Sequence, residues 1–255
     1  MELKVLGSVS PYPKEKSYCP GYLVSENNKK VLLDCGNGCT SLLDMKNGLK
    51  DLIVIISHLH NDHYGDLLTL AYTSYVYHNI GIINNKIKVY IPYPKTSEEE
   101  LVIKYLSSFK ETYFEYNYYD DTTKIKHGNI DINFRKSKHN ITTYYAKLKS
   151  NDNTFVYSAD TGYTDSLIEF SKSADILLCE STFARFQKQK NKYHLNSFEA
   201  GLIGRFADVK ILLLTHFWPE IDRNIYVADA KNAFLNVEAV SENKVYKIGG
   251  LHENR

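Results

Sequence analysis

Six residues, His58-Leu59-His60-Asn61-Asp62-His63, constrain this chain more than any other part of it. They follow Leu52-Ile53-Val54-Ile55-Ile56-Ser57, a continuous apolar run. Such a run suits a strand buried on both faces and covered by helices. Imidazole is the commonest zinc ligand, and carboxylate is the next suitable oxygen donor. His58 and His60, two apart, share one side of an extended segment. Asp62 and His63 follow where the chain turns into a helix, so four donors meet just beyond a strand end. With 9 histidines among 255 residues, this cluster arises by chance on the order of once in a thousand such chains. Any one of these side chains alone would read as structural; the cluster after a buried strand reads as a metal site.

The remaining apolar patterning predicts strands over 2–6, 21–25, 30–36, 87–91, 130–134, 143–148, 154–158, 176–179 and 211–214. It predicts helices over 66–75, 97–108, 164–172, 197–206 and 227–234. Ser97 before Glu98, Glu99 and Glu100, and Asn196 or Ser197 before Glu199, read as helix starts. Strands fall in early and late groups with helices between them. This suits an α/β fold of the αββα kind, two β-sheets flanked by helices, although the pattern alone leaves other α/β folds open. No Pro-, Gly- or Ser-rich linker breaks the chain, so residues 1–255 are expected to form one domain.

Net charge is +1 at pH 7. A protein that grips long nucleic acid usually carries a basic face. Lys136, Lys138, Lys147 and Lys149, with Lys188, Lys190 and Lys192, form only short clusters and read as solvated surface. Cys19, Cys35, Cys39 and Cys179 fit neither a zinc-finger spacing nor a disulfide framework. Without a leader pattern or an 18-residue apolar span, a cytoplasmic protein with no membrane contact is expected. Residues 72–119 are unusually aromatic, and most of these rings are read as a core-packing helix and a dimer surface.

The histidine cluster resembles the signature of the metallo-β-lactamase superfamily, and the family's other motifs follow in order. Val31-Leu32-Leu33-Asp34-Cys35-Gly36 resembles the first motif, Lys138-His139-Asn140 the third, Tyr157-Ser158-Ala159-Asp160-Thr161-Gly162 the fourth, and Leu213-Leu214-Thr215-His216-Phe217 the fifth. The resemblance implies two zinc ions per subunit, with manganese as an alternative that N/O donors also accept. One takes His58, His60 and His139; the other takes Asp62, His63 and His216; Asp160 bridges them. Asp34 is implied to orient the metal loop from behind. A metal-activated water is the implied nucleophile.

Tyr193-His194-Leu195-Asn196-Ser197-Phe198-Glu199-Ala200 resembles the extra histidine motif of RNase Z-type phosphodiesterases, as does Leu178-Cys179-Glu180-Ser181-Thr182-Phe183. Catalytic roles are implied for His194, as the acid that protonates the leaving oxygen, and for Asp62. His139 and Asp160 are only 21 residues apart. Two ordinary strands and a turn fill that gap, leaving no room for a tRNA-binding arm. With Val5-Leu6-Gly7-Ser8-Val9-Ser10 and Cys19-Pro20-Gly21-Tyr22, the chain is similar to short, armless members. Among these are the anti-Pycsar proteins of phages and Gram-positive bacteria, which destroy cyclic mononucleotide signals. The expected activity is therefore hydrolysis of 3′,5′-cyclic nucleotides to 5′-monophosphates, an antidefence role in a host cytoplasm if phage-encoded. A tRNA 3′-processing endonuclease is the alternative; thioester, lactone or β-lactam hydrolysis and a non-catalytic module fit less well. The resemblance also implies a homodimer in which a loop covers the partner's site, with His78 and Tyr113 as candidate substrate-binding residues. His127 and His252 carry no motif and read as surface.

Overall fold

Apolar runs that need cover on both faces obtain it here from two sheets packed face to face, each with helices outside it. The computed structural model describes residues 1–190 and 192–249. The first sheet begins with β1 (Glu2–Gly7), β2 (Gly21–Glu26) and β3 (Lys29–Leu33), which pair antiparallel. It continues in parallel through β4 (Leu52–Ile55), β5 (Ile87–Pro92) and β6 (Phe114–Tyr119). The second sheet repeats the scheme. Strands β7 (Lys124–His127), β8 (Ile130–Lys136), β9 (Tyr144–Ser150) and β10 (Asn153–Tyr157) are antiparallel. Then β11 (Ile176–Glu180), β12 (Ile211–Thr215) and β13 (Val237–Ala239) follow in parallel. A last strand, β14 (Val245–Lys247), closes the edge beside β1.

The pleat sends alternate side chains into two cores. Val31, Leu33, Ile53 and Ile55 face the second sheet and share a core with its Ile132, Phe155, Tyr157 and Leu178. Leu32, Leu52, Val54 and Ile56 face outward. There they are covered by α3 (Leu67–Asn79) and α4 (Ser97–Ser107), which follow the short helices α1 (Met45–Gly48) and α2 (Asn61–Tyr64). On the other side, α5 (Asp165–Phe170), α6 (Ser197–Phe206) and α7 (Arg223–Lys231) cover the second sheet through Leu167, Ala200, Ile203 and Tyr226. The αββα expectation is met. Among the described residues, no helix is long and apolar enough to cross a membrane.

Helix starts follow side-chain chemistry. Thr96 caps α4 and Asn196 caps α6, each in a reciprocal box with the glutamate three residues on. The helix expected at 227–234 begins earlier, at Arg223, because Asp222 accepts from the Asn224 N–H and sets the cap. The aromatic stretch 72–119 is carried by more than the one helix expected. It divides among α3, β5, α4 and β6. In β6, Tyr and Phe alternate with Glu115 and Asn117, an edge-strand pattern hidden by the general abundance of tyrosine. His127 donates from Nε2 to the Asp51 carbonyl at 2.8 Å, tying β7 to the first sheet; His252 lies outside the described residues.

Candidate metal centre

In both sheets the parallel strands run toward one end of the molecule, and the site residues sit where those strands stop. Asp34 follows β3, and His58 to His63 follow β4. Asp160 follows β10, Glu180 ends β11, and His216 follows β12. His139 lies in the β8–β9 connection at the same end. Three of these junctions carry left-handed backbone on non-glycine residues, Asp34 (φ 59°), Ala159 (φ 46°) and His216 (φ 62°). Such strained positions cluster at functional sites because they turn the chain sharply enough to aim a side chain.

The side chains gather in the two sets that the family pattern implies, and His194 forms a third group with Asp160 and His216. His58, His60, His139 and Asp160 bring one donor atom each together, and so do Asp62, His63 and His216. In the first set, His58 Nε2 lies 3.0 Å from His60 Nδ1, which lies 3.2 Å from His139 Nε2. In the second, His63 Nε2 and His216 Nε2 are 3.2 Å apart. Asp160 spans both: Oδ2 faces His58 at 3.6 Å and His139 at 3.8 Å, while Oδ1 faces His216 at 3.1 Å and His63 at 3.3 Å. Asp62 Oδ2 is 3.7 Å from both His63 and His216.

Two buried carboxylates orient the imidazoles. Asp34, from the first sheet, accepts from the Ser57 N–H, the Tyr157 hydroxyl and His63 Nδ1, the last two at 2.7 Å. The Ser57 hydroxyl also donates to Asp34, at 2.8 Å, and its oxygen accepts from His58 Nδ1. Glu180, from the second sheet, repeats the device. It accepts from His194 Nδ1 at 2.9 Å and from the Thr182 hydroxyl at 2.7 Å, and the Thr182 oxygen accepts from His216 Nδ1. Each acid thus holds one imidazole directly and one through a hydroxyl. His139 Nδ1 donates to the Tyr193 carbonyl. Outward Nδ1 protons leave the Nε2 lone pairs of His58, His63, His139 and His216 pointing inward.

This arrangement tests whether metal fits. With the Nδ1 protons outward, the inward ring nitrogens and the Asp160 oxygens are acceptors, and Asp160 Oδ1 is buried without a hydrogen-bond partner. Bare acceptors at 3.0–3.3 Å repel unless a cation lies among them. A tetrahedral ion with bonds of 2.0–2.1 Å spaces its ligands by about 3.3–3.4 Å, close to the separations found here. Asp34, Asp62, Asp160 and Glu180 are all buried, and among the described residues none is paired with Lys or Arg. Buried charge of one sign calls for a counter-charge. The donor set therefore fits metal.

The same imbalance shows in the protonation states. Burial and the neighbouring His63 hold His58 well below the ordinary histidine value, and burial takes His60 down to about 4. Burial also opposes charge on His63, but Asp160, Asp62 and Asp34 outweigh it and lift this imidazole well above the ordinary value. At His194 burial is again outweighed, here by Glu180, and the imidazole is raised to about 9.

A cleft of about 300 Å³ opens over His60 and His194, walled by Asn140, Phe183, Tyr193, Lys188, Gln189 and Lys190. Lys188 and Lys190, which read as plain solvated surface in the sequence, stand on this wall. Another cleft, of about 180 Å³ and lined by Lys86, Lys88 and His127, lies at the opposite end of the strands and holds none of the candidate metal ligands. His78 and Tyr113 are not at the metal centre of their own chain. They stack on each other at 3.6 Å beside the starts of β5 and β6, the far end of the sheet. Three further contributors had no role assigned from the sequence, although Glu180 and Thr182 stand in a motif quoted above. Ser10, in the loop after β1, donates to Asp62 Oδ2 at 2.6 Å; Glu180 and Thr182 orient His194 and His216. The Glu180-Ser181-Thr182 triplet at the end of a buried strand was the available signal for the last two.

Known proteins resemble this chain over most of its length. The sequence model of the family described as "Anti-Pycsar protein Apyc1" matches residues 1–241. The chain is 30% identical over 217 residues to the probable metallo-hydrolase YhfI of Bacillus subtilis, covering 85% of this chain and 86% of that one. The crystal structure of YhfI, a metallo-β-lactamase fold protein, superposes with a TM-score of 0.86 at 28% identity over 97% of this chain and 99% of that one. A ribonuclease Z of Saccharolobus solfataricus is 26% identical over 87% of this chain and 90% of its own length. The short form of human tRNase Z shares the fold, with a TM-score of 0.74 at 18% identity over 98% of this chain and 100% of that one. With its ligand set assembled on that fold, the chain belongs to the anti-Pycsar Apyc1 family and is a metal-dependent hydrolase.

Proposed function

We propose that this protein is a dinuclear zinc phosphodiesterase that opens 3′,5′-cyclic mononucleotides to 5′-monophosphates, acting against cyclic-nucleotide immune signalling. The observation that carries the reading is the Glu180-held His194 beside two ligand sets that share Asp160. Two bound divalent ions supply the Lewis acidity that brings water's pKa near 7 and offsets charge on the phosphate. The protein's own part is positioning and proton movement. Opening the ring adds a water oxygen to phosphorus and breaks the bond to the 3′ oxygen, which needs a proton as it leaves. With Nδ1 held by Glu180, His194 carries its transferable proton on Nε2. General-acid help of this kind is worth about 10²–10⁴-fold.

Substrate size is argued from the segment between His139 and Asp160. It consists of β9, β10 and a short turn, with no protruding arm, which supports a small diester over a tRNA. Exposed Tyr72, Leu101, Tyr105 and Phe109 on and just after the helices outside the first sheet support the homodimer, and only across such an interface could His78 or Tyr113 reach a site. The test is to incubate zinc-loaded protein with cAMP, cGMP, cCMP and cUMP and follow the products by chromatography, with His60→Ala as the blank. Conversion to 5′-monophosphates is expected, with activity and zinc content both lost in His60→Ala. Cleavage of a tRNA precursor with every cyclic nucleotide untouched would sink the proposal in favour of an RNA 3′-endonuclease.

A further inference from the structure

The wall of the cleft facing the metal centre comes from one stretch of chain, the excursion that leaves β11 after Glu180 and returns at α6. Its base is closed: the Phe183 N–H donates to the Leu195 carbonyl, and the Ser197 N–H donates to the Phe183 carbonyl. One end is tied to the site itself, since the Tyr193 carbonyl accepts from the metal-facing His139. Phe183 packs with its ring centroid 6.1 Å from that of His194, and the Tyr193 ring lies 6.3 Å from His139. Lys188 and Lys190 line the cleft from the same excursion, and among the described residues no carboxylate lines it. The negative charge of the site is buried beneath, on Asp62, Asp160 and Glu180. The open face is therefore cationic and aromatic, complementary to an anion that carries a planar ring.

We propose that this excursion is the substrate-recognition wall: Lys188 and Lys190 draw in and hold the anionic diester, and Phe183 and Tyr193 give its base a flat surface. The inference rests on the phosphodiesterase reading and names the residues that select the substrate within it. These four side chains act on binding and leave the proton transfer to His194. The field of two exposed lysines is screened by salt, so their contribution declines as ionic strength rises.

The experiment compares wild type with Lys188→Ala/Lys190→Ala and with Phe183→Leu, all metal-loaded. Two readouts are used: turnover of a cyclic nucleotide, and calorimetric binding of a non-hydrolysable 3′,5′-cyclic phosphorothioate. The double lysine variant is expected to raise KM and the analogue's Kd by about tenfold, the effect of roughly 1.4 kcal/mol, with kcat and metal content unchanged. Its kcat/KM should also lose most of its dependence on salt. Phe183→Leu should weaken the analogue while leaving inorganic phosphate binding unchanged. An unchanged KM, Kd and salt dependence in the lysine variant, with active wild type, would overturn the wall and leave the phosphodiesterase reading standing. Wild type that neither binds the analogue nor turns over any diester, bis-p-nitrophenyl phosphate included, would remove both.

Discussion

At the scale of single residues, Glu180 is the main determinant of the His194 charge, with Asp160 adding to it. Burial would lower its pKa, and Glu180, 2.9 Å away, reverses that and raises it to about 9. In metal-free protein an NMR titration should therefore find the imidazolium intact at neutral pH and lost near pH 9. In Glu180→Gln only the Asp160 carboxylate is left to oppose burial, and the midpoint should fall toward or below the ordinary value of about 6.5. On the general-acid reading, turnover needs the protonated form. Bound cations lower the midpoint further, so the alkaline fall in kcat should lie below pH 9 and move toward acid in Glu180→Gln. His194→Ala should keep its metal and lose about 10²–10⁴-fold in kcat; native turnover in that variant would remove the role. The ligands themselves were legible in the sequence, because each stands in a short motif after an apolar strand. Ser10 and Lys188 were not. Ser10 reaches Asp62 from 52 positions away, and Lys188 owes its place on the cleft to an excursion without periodicity. His78 and Tyr113 were placed by family likeness and stand elsewhere in the chain's own fold.

Elements were legible where burial is two-sided. The run 52–57 and the run 211–214 became central strands because both of their faces are covered. Strands β13 and β14 escaped notice because three residues each give too short a pattern to stand out. What the pattern also conceals is how tightly strand ends pack. An added Cβ at Gly36 would stand 2.0 Å from the Asp62 carbonyl and 2.8 Å from the Cys19 Cβ. The glycine lets the metal loop pass against the end of β3, and neither contact is a flexible tip that could swing away. Gly36→Ala is expected to cost about 1–3 kcal/mol of stability and to weaken metal binding at least tenfold, read by thermal unfolding and metal titration. Gly81→Ala is the control. Its φ of 77° brings strain of about 1–2 kcal/mol, but nothing lies within 4 Å of the new methyl, and metal affinity should hold. Equal metal affinity in the two variants would show that the close approach at Gly36 does not set the loop.

For the whole molecule, the site is a seam. His58, His60, Asp62 and His63 come from the end of the first sheet, and His139, Asp160 and His216 from the end of the second. Cations bound between them would join the two layers at a point where the protein's own side chains offer ring nitrogens and buried carboxylates. Metal that binds the folded state stabilises it by about 2.7 kcal/mol at a free concentration of a hundred times Kd. For a chain of this size that is roughly 5–11 °C in Tm. Chelation should lower Tm by such an amount, and zinc should restore it. Binding should also release protons at neutral pH. In metal-free protein the carboxylates Asp160, Asp62 and Asp34 overcome burial and keep His63 charged well above the ordinary histidine range, yet a ligand must present a bare Nε2. His58 and His60, held low, have no proton to give up. The sign follows: affinity rises with pH because His63 must lose its proton to bind. Calorimetry in buffers of different ionisation enthalpy measures that release directly. No proton released at pH 7, or a Tm indifferent to chelator, would mean that the seam is held by something other than metal.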